Sequence, residues 1–498
     1  MVVQHNMQAA NASRMLNITT GAQSKSTEKL SSGYKINRAA DDAAGLSISE
    51  KMRKQIRGLD QASTNAQDGV SAVQTAEGAL TEVHSMLQRM NELAVQAANG
   101  TNSESDRSSI QDEIDQLTTE IDRVAETTKF NETYLLKGDY GTKTIKIAAH
   151  DAGLDGTLTQ NTTKATFTMS ALAMGDTYTI GGTKYTIGIE GSDQASQLTN
   201  ALTVLGTSTG ALQKGEVVKI DGKSFTIAAK TNADTSEVAS TQLGLFASMG
   251  STIEYNGKSV KLFSTADGPA ASQDGVDEKD ATLITANKAY QLIANELRAA
   301  STIGTDKPIN AATAKYNGTS ITVSDGTTSS GTVDALKPTV VRPSTGDLKV
   351  TFTLEKGDAT VQNDLTFNLH VGSDADMTNK IGVTITDMSS ASLGIQGLNV
   401  SDATGKAATY AIDAIADAVS KVSAQRSSLG AIQNRLEHTI ANVDNVVENS
   451  NAAESRIRDT DMADEMVTYS KNNILAQAGQ AMLAQANQST QGVLSILG

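Results

Sequence analysis

The stretch that decides the fold is residues 43–98, AAGLSISEKMRKQIRGLDQASTNAQDGVSAVQTAEGALTEVHSMLQRMNELAVQAA. One set of its side chains recurs at alternating steps of three and four residues, the spacing of a helix face that packs against partner helices. These positions are Ile56, Leu59, Ser63, Ala66, Val70, Val73, Glu77, Leu80, His84 and Leu87. The pattern predicts one helix from Ala43 to about Ala98, which at about 1.5 Å per residue is about 80 Å long.

Two further seams have the same spacing. After a predicted turn at residues 99–102, one comprises Ile110, Ile114, Leu117, Ile121 and Val124. Near the other end of the chain lie Val419, Val422, Leu429, Leu436, Ile440, Val443 and Val447, with Arg426 and Gln433 in phase. Isolated helices gain little stability without tertiary packing. The three seams therefore predict an antiparallel helical bundle in which the start and the end of the chain lie side by side.

Both tails remain weakly apolar beyond these seams. The first carries Val2, Val3, Met7, Met15, Leu16, Ile18 and Leu30, and the last carries Met462, Met466, Ile474, Leu475, Ala478, Met482, Val493, Leu494, Ile496 and Leu497. Exposed apolar surface usually marks an interface. Little of the chain is left to cover the tails, so we expect other copies of the same chain to do so. A head-to-tail contact that does not close produces a helical filament.

The middle, from about Gly138 to Leu365, is rich in Thr, Gly, Asp and Ser and has short alternating segments. Hairpins are predicted at 178–187, 218–227, 253–260 and 315–321, where Gly-Gly, Asp-Gly or Asn-Gly supplies the positive φ angles of a two-residue turn. The first three are followed by helix-like stretches, at Ala195–Leu205, Ser236–Met249 and Asp280–Ala300. The fold class is therefore mainly α at both termini, with an inserted α+β, β-rich region of one or two subdomains.

Composition excludes several classes of function. The net charge of −15 argues against nucleic-acid binding, and no apolar run of about 18 residues or more predicts a membrane span. Cysteine is absent, and the five histidines are scattered without an HExxH arrangement. We expect no catalytic or metal site, no cofactor and no enzyme activity, with Asp41 and Asp42 as helix-capping and polar contact residues. The N-terminus lacks the features of a secretory signal, which taken alone favours the cytoplasm.

Several blocks at the two ends resemble flagellins. They include STEKLSSGYKINRAADDAAGLSISEKMRKQIRGL (Ser26–Leu59), LQRMNELAVQ from Leu87, SSLGAIQNRLEHTIANV (Ser427–Val443), ESRIRDTDMADEM (Glu454–Met466) and ILAQAGQAMLAQANQ (Ile474–Gln488). The resemblance covers residues 1–138 and 366–498. The opening MVVQHN and KMRKQIRGL are most similar to flagellins of Gram-positive anaerobes.

The resemblance implies a structural subunit of the bacterial flagellar filament, outside the cell and exported unfolded through the flagellar type III pathway without a cleaved signal. Residues 1–43 and 454–498 would be inner-core helices, 44–138 and 366–453 the outer-core rod, and 139–365 the surface-exposed variable region. Flagellins carry a β-hairpin against the rod. Its best match here is 366–400, so we expect the variable region to be inserted before it. A hook–filament junction protein and a free-standing adhesin are the alternatives.

The resemblance also implies partners and contact residues. Besides self-association, it implies an export chaperone, filament cap and hook-junction proteins, vertebrate Toll-like receptor 5 and cytosolic inflammasome sensors. Gln88, Arg89, Glu92, Leu93 and Glu113 fall where receptor and protofilament contacts lie in the family, with Asn91 where strongly stimulatory relatives often have Arg. Met466, Ile474, Leu475, Ala478, Met482, Val493, Leu494, Ile496 and Leu497 would pack in the inner core, and the last four resemble the part read by the inflammasome sensors.

Overall fold

The computed structural model describes residues 6–189, 191, 193–228, 237–265, 275–306, 313–316, 319–322, 349–402 and 404–497, with backbone alone at 313–322 and 489–497. Val2 and Val3 lie outside it. Its α-helices are α1 Met7–Ser32, α2 Ala43–Ala98, α3 Glu104–Thr127, α4 Gln194–Val204, α5 Ala286–Ser301, α6 Ser390–Leu393, α7 Lys406–Arg458 and α8 Met462–Leu497. Short 3-10 helices lie at Ser240–Leu245 and Met377–Asn379.

The strands fall between α3 and α6. They are β1 Lys129–Phe130, β2 Thr133–Tyr134, β3 Asp139–Lys146, β4 Thr157–Gln160, β5 Lys164–Ser170, β6 Thr177–Ile180, β7 Thr183–Ile187, β8 Val217–Ile220, β9 Lys223–Ala228, β10 Glu237–Ala239, β11 Thr252–Tyr255, β12 Lys258–Lys261, β13 Leu283–Ile284, β14 Thr313–Tyr316, β15 Thr319–Thr322, β16 Lys349–Glu355, β17 Asp358–Asn363, β18 Leu365–His370 and β19 Lys380–Ile385. The predicted fold class is confirmed: both ends of the chain are helical, and the middle is rich in strands and also contains helices. Helix α2 has the predicted limits.

The chain divides into two compact units. The first contains Met1–Gln74, Phe367–Val383 and Leu429–Gly498. In it α2 and α7 run antiparallel, because the Arg53 guanidinium meets Glu454 at 3.1 Å and the Ser63 hydroxyl donates to Asp444 at 3.0 Å. Strands β18 and β19 pair in a two-stranded sheet that packs against both helices, in a cluster built on Ala66, Ile381 and Leu436.

Gly69 of α2 lies directly beneath Leu369 of this hairpin. A Cβ atom at Gly69 would lie 2.2 Å from Leu369 Cδ1, closer than any van der Waals contact allows. Glycine in a helix interior costs about 0.5–1 kcal/mol relative to alanine. The hairpin therefore explains a glycine that the helix by itself disfavours.

The second unit contains Thr75–Thr366 and Thr384–Ser428. In its helical part, residues from all three predicted seams are buried, including Leu80, Leu87, Ile114, Ile121 and Val422. Strands β3 and β17 form a two-stranded ribbon in which Asp139 pairs with Asn363 and Lys146 with Asp358. The two ends of segment 139–365 therefore lie side by side, which is the geometry an inserted region needs to leave and rejoin a helical scaffold.

The predicted hairpins form where the turn residues placed them. Strand pairs β6–β7, β8–β9 and β11–β12 enclose turns with positive φ at both central positions: Gly181 and Gly182, Asp221 and Gly222, and Asn256 and Gly257. Strands β14 and β15 pair as predicted, and the two turn residues between them, 317 and 318, lie outside the described residues. The short-range chemistry of these turns thus determines the register of each hairpin.

Two of the three helix-like stretches were predicted with the wrong limits or type. Within Ser236–Met249 the chain instead forms β10 and a 3-10 helix, because Val238 is buried in register beside Ile227 of β9. Within Asp280–Ala300, β13 precedes α5, which starts at Ala286 because the Thr285 side chain accepts from the Lys288 N–H. Only Ala195–Leu205 corresponds closely to a helix, α4.

The middle region has two separate apolar cores. One combines Phe167, Phe352 and Tyr290 with residues of α5 and with Tyr410 of α7. The other draws all its buried residues from the segment between Ile189 and Leu262, including Leu202, Val218 and Ile253. Ile189 and Leu262 form a parallel bridge, so the ends of this second segment are adjacent. The segment between Ile189 and Leu262 is therefore itself inserted within the larger inserted region, 139–365.

We expect residues 190–261 to be removable without unfolding the rest. Strand β7 pairs directly with β13, and the Gly188 N–H donates to Ile284 O at 3.0 Å, so neither contact depends on the excised part. Replacement by a short Gly-Ser linker should remove one calorimetric transition and shift the others by less than about 4 °C, because domains with adjacent ends fold independently. Loss of the remaining transitions would contradict the nesting.

Candidate functional site

The tail helices α1 and α8 pack against each other over the length of α1. Gly479 of α8 faces Leu16 of α1, and the Asn6 amide donates to Ala486 O at 3.1 Å. Lys29 and Glu465 form an ion pair at 3.5 Å. A two-helix pair buries only the stripe along its own contact line, so the opposite faces of both helices remain available.

Backbone pairing fixes the helix pair at the end where α1 finishes and α8 begins. Tyr34 and Asp459 form an antiparallel bridge, and the Lys35 N–H donates to Arg458 O at 2.7 Å. The Arg458 guanidinium lies over the Tyr34 ring, 4.8 Å from its centroid, in a cation–π contact. The two tails therefore enter the pair in a fixed register.

The tail pair carries many exposed apolar side chains. The predicted inner-core residues Met466, Ile474, Leu475 and Met482 are 55%, 67%, 47% and 65% exposed, and Ala478 is also exposed. The side chains of Val493, Leu494, Ile496 and Leu497 lie outside the described residues. Further exposed apolar side chains complete the surface, which we call the tail face: Met7, Met15, Ile18, Met462 and Val467. Of these, Val467 was missed from the sequence, although it neighbours Met466.

The second predicted surface lies on α2 and α3. Arg89 Nε donates to Glu113 at 2.9 Å and its Nη1 donates to Glu92 at 3.1 Å, with all three side chains exposed. The hydrogen bond to Glu113 raises the pKa of Arg89 above its ordinary value. Gln88 is exposed and its amide lies 3.0 Å from His84 Nε2. The structure therefore brings four of the five predicted contact residues onto one charged surface.

Leu93 lies elsewhere. Its side chain is 2% exposed and belongs to the buried face of α2 together with Met90 and Ala94. Arg89 and Leu93 are four residues apart, but the helix turns about 400° over that distance, so the two side chains diverge by about 40°. That divergence is enough to separate the surface from the core here. Asn91 is half-buried.

The paired acids Asp41 and Asp42 bind backbone N–H groups on either side: Asp41 those of the loop that precedes it, and Asp42 that of the helix that follows it. Asp42 Oδ1 accepts from the Gly45 N–H at 2.9 Å at the start of α2, and Asp41 accepts from the backbone N–H of Arg38 at 3.0 Å. The backbone hydrogen bond from Arg38 is the main cause that lowers the pKa of Asp41. The predicted helix-capping role is confirmed for Asp42, whereas Asp41 binds the loop before α2, and the predicted polar contacts between chains remain a prediction.

The described residues contain no group of three His, Asp or Glu side chains arranged to hold a metal ion. The histidines stay scattered: His84 lies beside Gln88, while His150 is buried with Nδ1 3.6 Å from Asp413 and 3.7 Å from Asp417. Within the same described part of the chain, no helix is long and apolar enough to cross a bilayer.

Known proteins match both ends of the chain. The model of the "Bacterial flagellin N-terminal helical region" matches residues 3–140, and that of the "Bacterial flagellin C-terminal helical region" matches residues 412–497. A "Flagellin" of Clostridium tyrobutyricum is 38% identical over 99% of this chain and 100% of its own. "Flagellin B" of Vibrio anguillarum is 32% identical over 100% of this chain and 99% of its own, and a "Flagellin" of Halalkalibacterium halodurans is 30% identical over the whole of both.

A solved structure titled "3D structure of FliC from Burkholderia pseudomallei" covers 74% of this chain and 99% of its own, at 18% identity and a TM-score of 0.26. The Clostridium relative confirms the predicted similarity to flagellins of Gram-positive anaerobes. Matches at both ends and over the full length leave no part of the chain outside the alignment. The chain belongs to the bacterial flagellin family.

Proposed function

We infer that this chain is the structural subunit of a bacterial flagellar filament and works outside the cell, in swimming motility. The observation that carries this inference is the tail face. A helix pair that exposes about half or more of Met466, Ile474 and Met482 carries the kind of apolar surface that marks an interface. Family membership identifies the partner surface as belonging to further copies of the same chain. A heterologous contact, which joins two different surfaces of identical chains, extends into a helical polymer when it does not close.

Flagellins are structural proteins, so the prediction that the chain is not an enzyme is confirmed by its family. The hook–filament junction alternative gains no support from the full-length relatives, each of which is a flagellin. The free-standing adhesin alternative likewise has no observation in its favour. The filament subunit is the function we retain.

The division into segments remains our proposal: 1–43 and 454–498 for the inner core, 44–138 and 366–453 for the outer core, and 139–365 for the variable region. The pairing of Asp139 with Asn363 and the packing of Ile381 against Ala66 support these limits. Export through the flagellar type III pathway, with a chaperone, cap and hook-junction proteins as partners, is also proposed. A chain without cysteine and with only 4 prolines suits refolding after threading, because prolyl isomerisation is slow.

Recognition by Toll-like receptor 5 is a second proposed role, centred on Gln88, Arg89, Glu92 and Glu113. Arginine is a frequent anchor of protein interfaces, and here it is exposed and held in place by two carboxylates. Leu93, buried inside the subunit, would support this surface from beneath. The C-terminal residues Val493 to Leu497 are the proposed segment for inflammasome sensors.

Self-assembly of the purified full-length chain tests the main proposal. Monomers concentrated at neutral pH should form helical filaments of uniform diameter, visible by negative-stain electron microscopy. Seeds prepared by shearing should elongate on addition of monomer. Closed rings, or monomers that stay dispersed at high concentration with and without seeds, would overturn the assignment.

A further inference from the structure

Two helix faces of the chain carry opposite charge. Between Lys51 and Leu59, α2 carries four cations and no carboxylate. The whole of α3, Glu104–Thr127, carries eight carboxylates and two arginines. In a chain of net charge −15, this α2 segment places four cations between Glu50 and Asp60.

Some of these charges have charged or capping partners within the subunit, and others do not, although Asp115 accepts a hydrogen bond from the Gln111 amide at 2.8 Å. Arg53 pairs with Glu454. On α3, Asp106 caps its own helix, Glu113 pairs with Arg89, Glu120 with Arg123 and Glu126 with Lys137, while Asp122 accepts from Ser390. Among the described residues, Lys51, Lys54 and Arg57 form no ion pair, and neither do Glu104, Asp112 and Asp115.

Each set forms one exposed stripe. Lys51, Lys54 and Arg57 recur every three residues and are all exposed; we call them the basic stripe. Glu104, Asp112 and Asp115 lie at steps of eight and three, share one face of α3 and are also exposed; they form the acidic stripe. The two stripes belong to different units of the chain.

We propose that the basic stripe of one subunit docks on the acidic stripe of a neighbouring copy in the filament. This inference rests on the proposed function. A heterologous contact joins two different surfaces of identical chains, so a basic and an acidic stripe on each copy supply both halves. Opposite charges across an interface fix register and suppress wrong pairings more than they add affinity. The stripes would thus align copies that the tail face holds together.

Charge reversal tests the pairing. The basic stripe is changed by Lys51→Glu, Lys54→Glu and Arg57→Glu, and the acidic stripe by Glu104→Lys, Asp112→Lys and Asp115→Lys. Each triple variant faces like charges at the contact, so its critical concentration for polymerisation should rise at least about tenfold at low salt, and less at high salt where the Debye length is short. The variant with all six changes should return to within about threefold of the native chain, since complementarity is restored with its sign inverted.

The matched control for the basic-stripe triple is Lys184→Glu, Lys223→Glu and Lys258→Glu, three exposed lysines of the middle region with the same total charge change as that triple. It should polymerise like the native chain. Should a reversed triple lose its helical circular dichroism, the Gln versions of the same three positions replace it, with an expected rise of about threefold. The stripe pairing is overturned if the triple variants polymerise like the native chain. It is also overturned if the variant with all six substitutions keeps a raised critical concentration. Failure of the native chain in the same assay would instead overturn the proposed function.

Discussion

A chain that ends at Arg458 should remain monomeric at concentrations where the full chain polymerises completely. The truncation removes all of α8 and with it most of the tail face. Fully burying a side chain such as Ile or Met contributes about 1.5–3 kcal/mol, so covering residues that are about half to two-thirds exposed contributes about 1–2 kcal/mol each. Three such contacts correspond to a change of at least about 100-fold in critical concentration. Sedimentation velocity and electron microscopy measure the outcome.

Truncation also uncovers α1, so a full-length variant is needed beside it. Met466→Ser, Ile474→Ser and Met482→Ser change only exposed side chains and leave Gly479 and Ala476 in place. This variant should keep its helical circular dichroism and still fail to polymerise. As a control, Val95→Ser alters an apolar residue that is 53% exposed on α2, outside the tail face. Normal filaments from the triple variant would show that the tail face is not the assembly surface.

Phe167→Ala should destabilise the middle region by about 3–5 kcal/mol, the range for a large aromatic removed from a core. Phe167 is fully buried, its ring lies 6.1 Å from that of Phe352, and it fills the space in front of Gly156. Its removal leaves a cavity that the sheet of β5 and β16 cannot close. We expect a lower midpoint for the calorimetric transition of this core, to which Tyr410 of α7 also belongs, and an unchanged midpoint for the unit that contains α1 and α8.

The control for this variant is Tyr140→Ala, which removes an aromatic ring that is 98% exposed and should change stability by less than about 0.5 kcal/mol. Filament formation by Phe167→Ala separates the two roles of the chain. Because assembly depends on the terminal helices, the variant should polymerise below the temperature at which its middle region melts. Loss of polymerisation with intact helices would show that the middle region takes part in assembly.

Helices and hairpins were predictable where local chemistry decides them. The seam through Leu80 and Leu87 has enough repeats to place α2 over its full length, and Asp221-Gly222 places a turn without reference to anything distant. Pairings between remote segments carry no such signal. Strand β13 joins β7 in parallel across about a hundred residues, and a two-residue strand, Leu283–Ile284, leaves no periodicity to read. That pairing also explains why α5 begins later than its composition indicated.

The contact surfaces show the same division. Exposure of the α8 residues followed from the sequence, since α8 had little apolar chain left to cover it. The direction of a single side chain did not follow, because Leu93 and Arg89 differ by only part of a helical turn and burial depends on where the neighbouring helices lie. The two unpaired stripes required the structure as well. Only the observed partners of Arg53, Glu113 and Glu126 identify which charges remain unmatched.

The bridge between Ile189 and Leu262 marks a site at which a foreign domain can be inserted. Any guest domain whose own termini are neighbours could be grafted there, because the host strands β7 and β13 already hold each other. A polymer of such hybrids would present its cargo at a fixed repeat along a rigid fibre, whether the guest is an enzyme, an epitope or a fluorophore. The same insertion site would allow the exposed surface of the filament to change in evolution by exchange of the segment between Ile189 and Leu262. The terminal helices would keep their geometry.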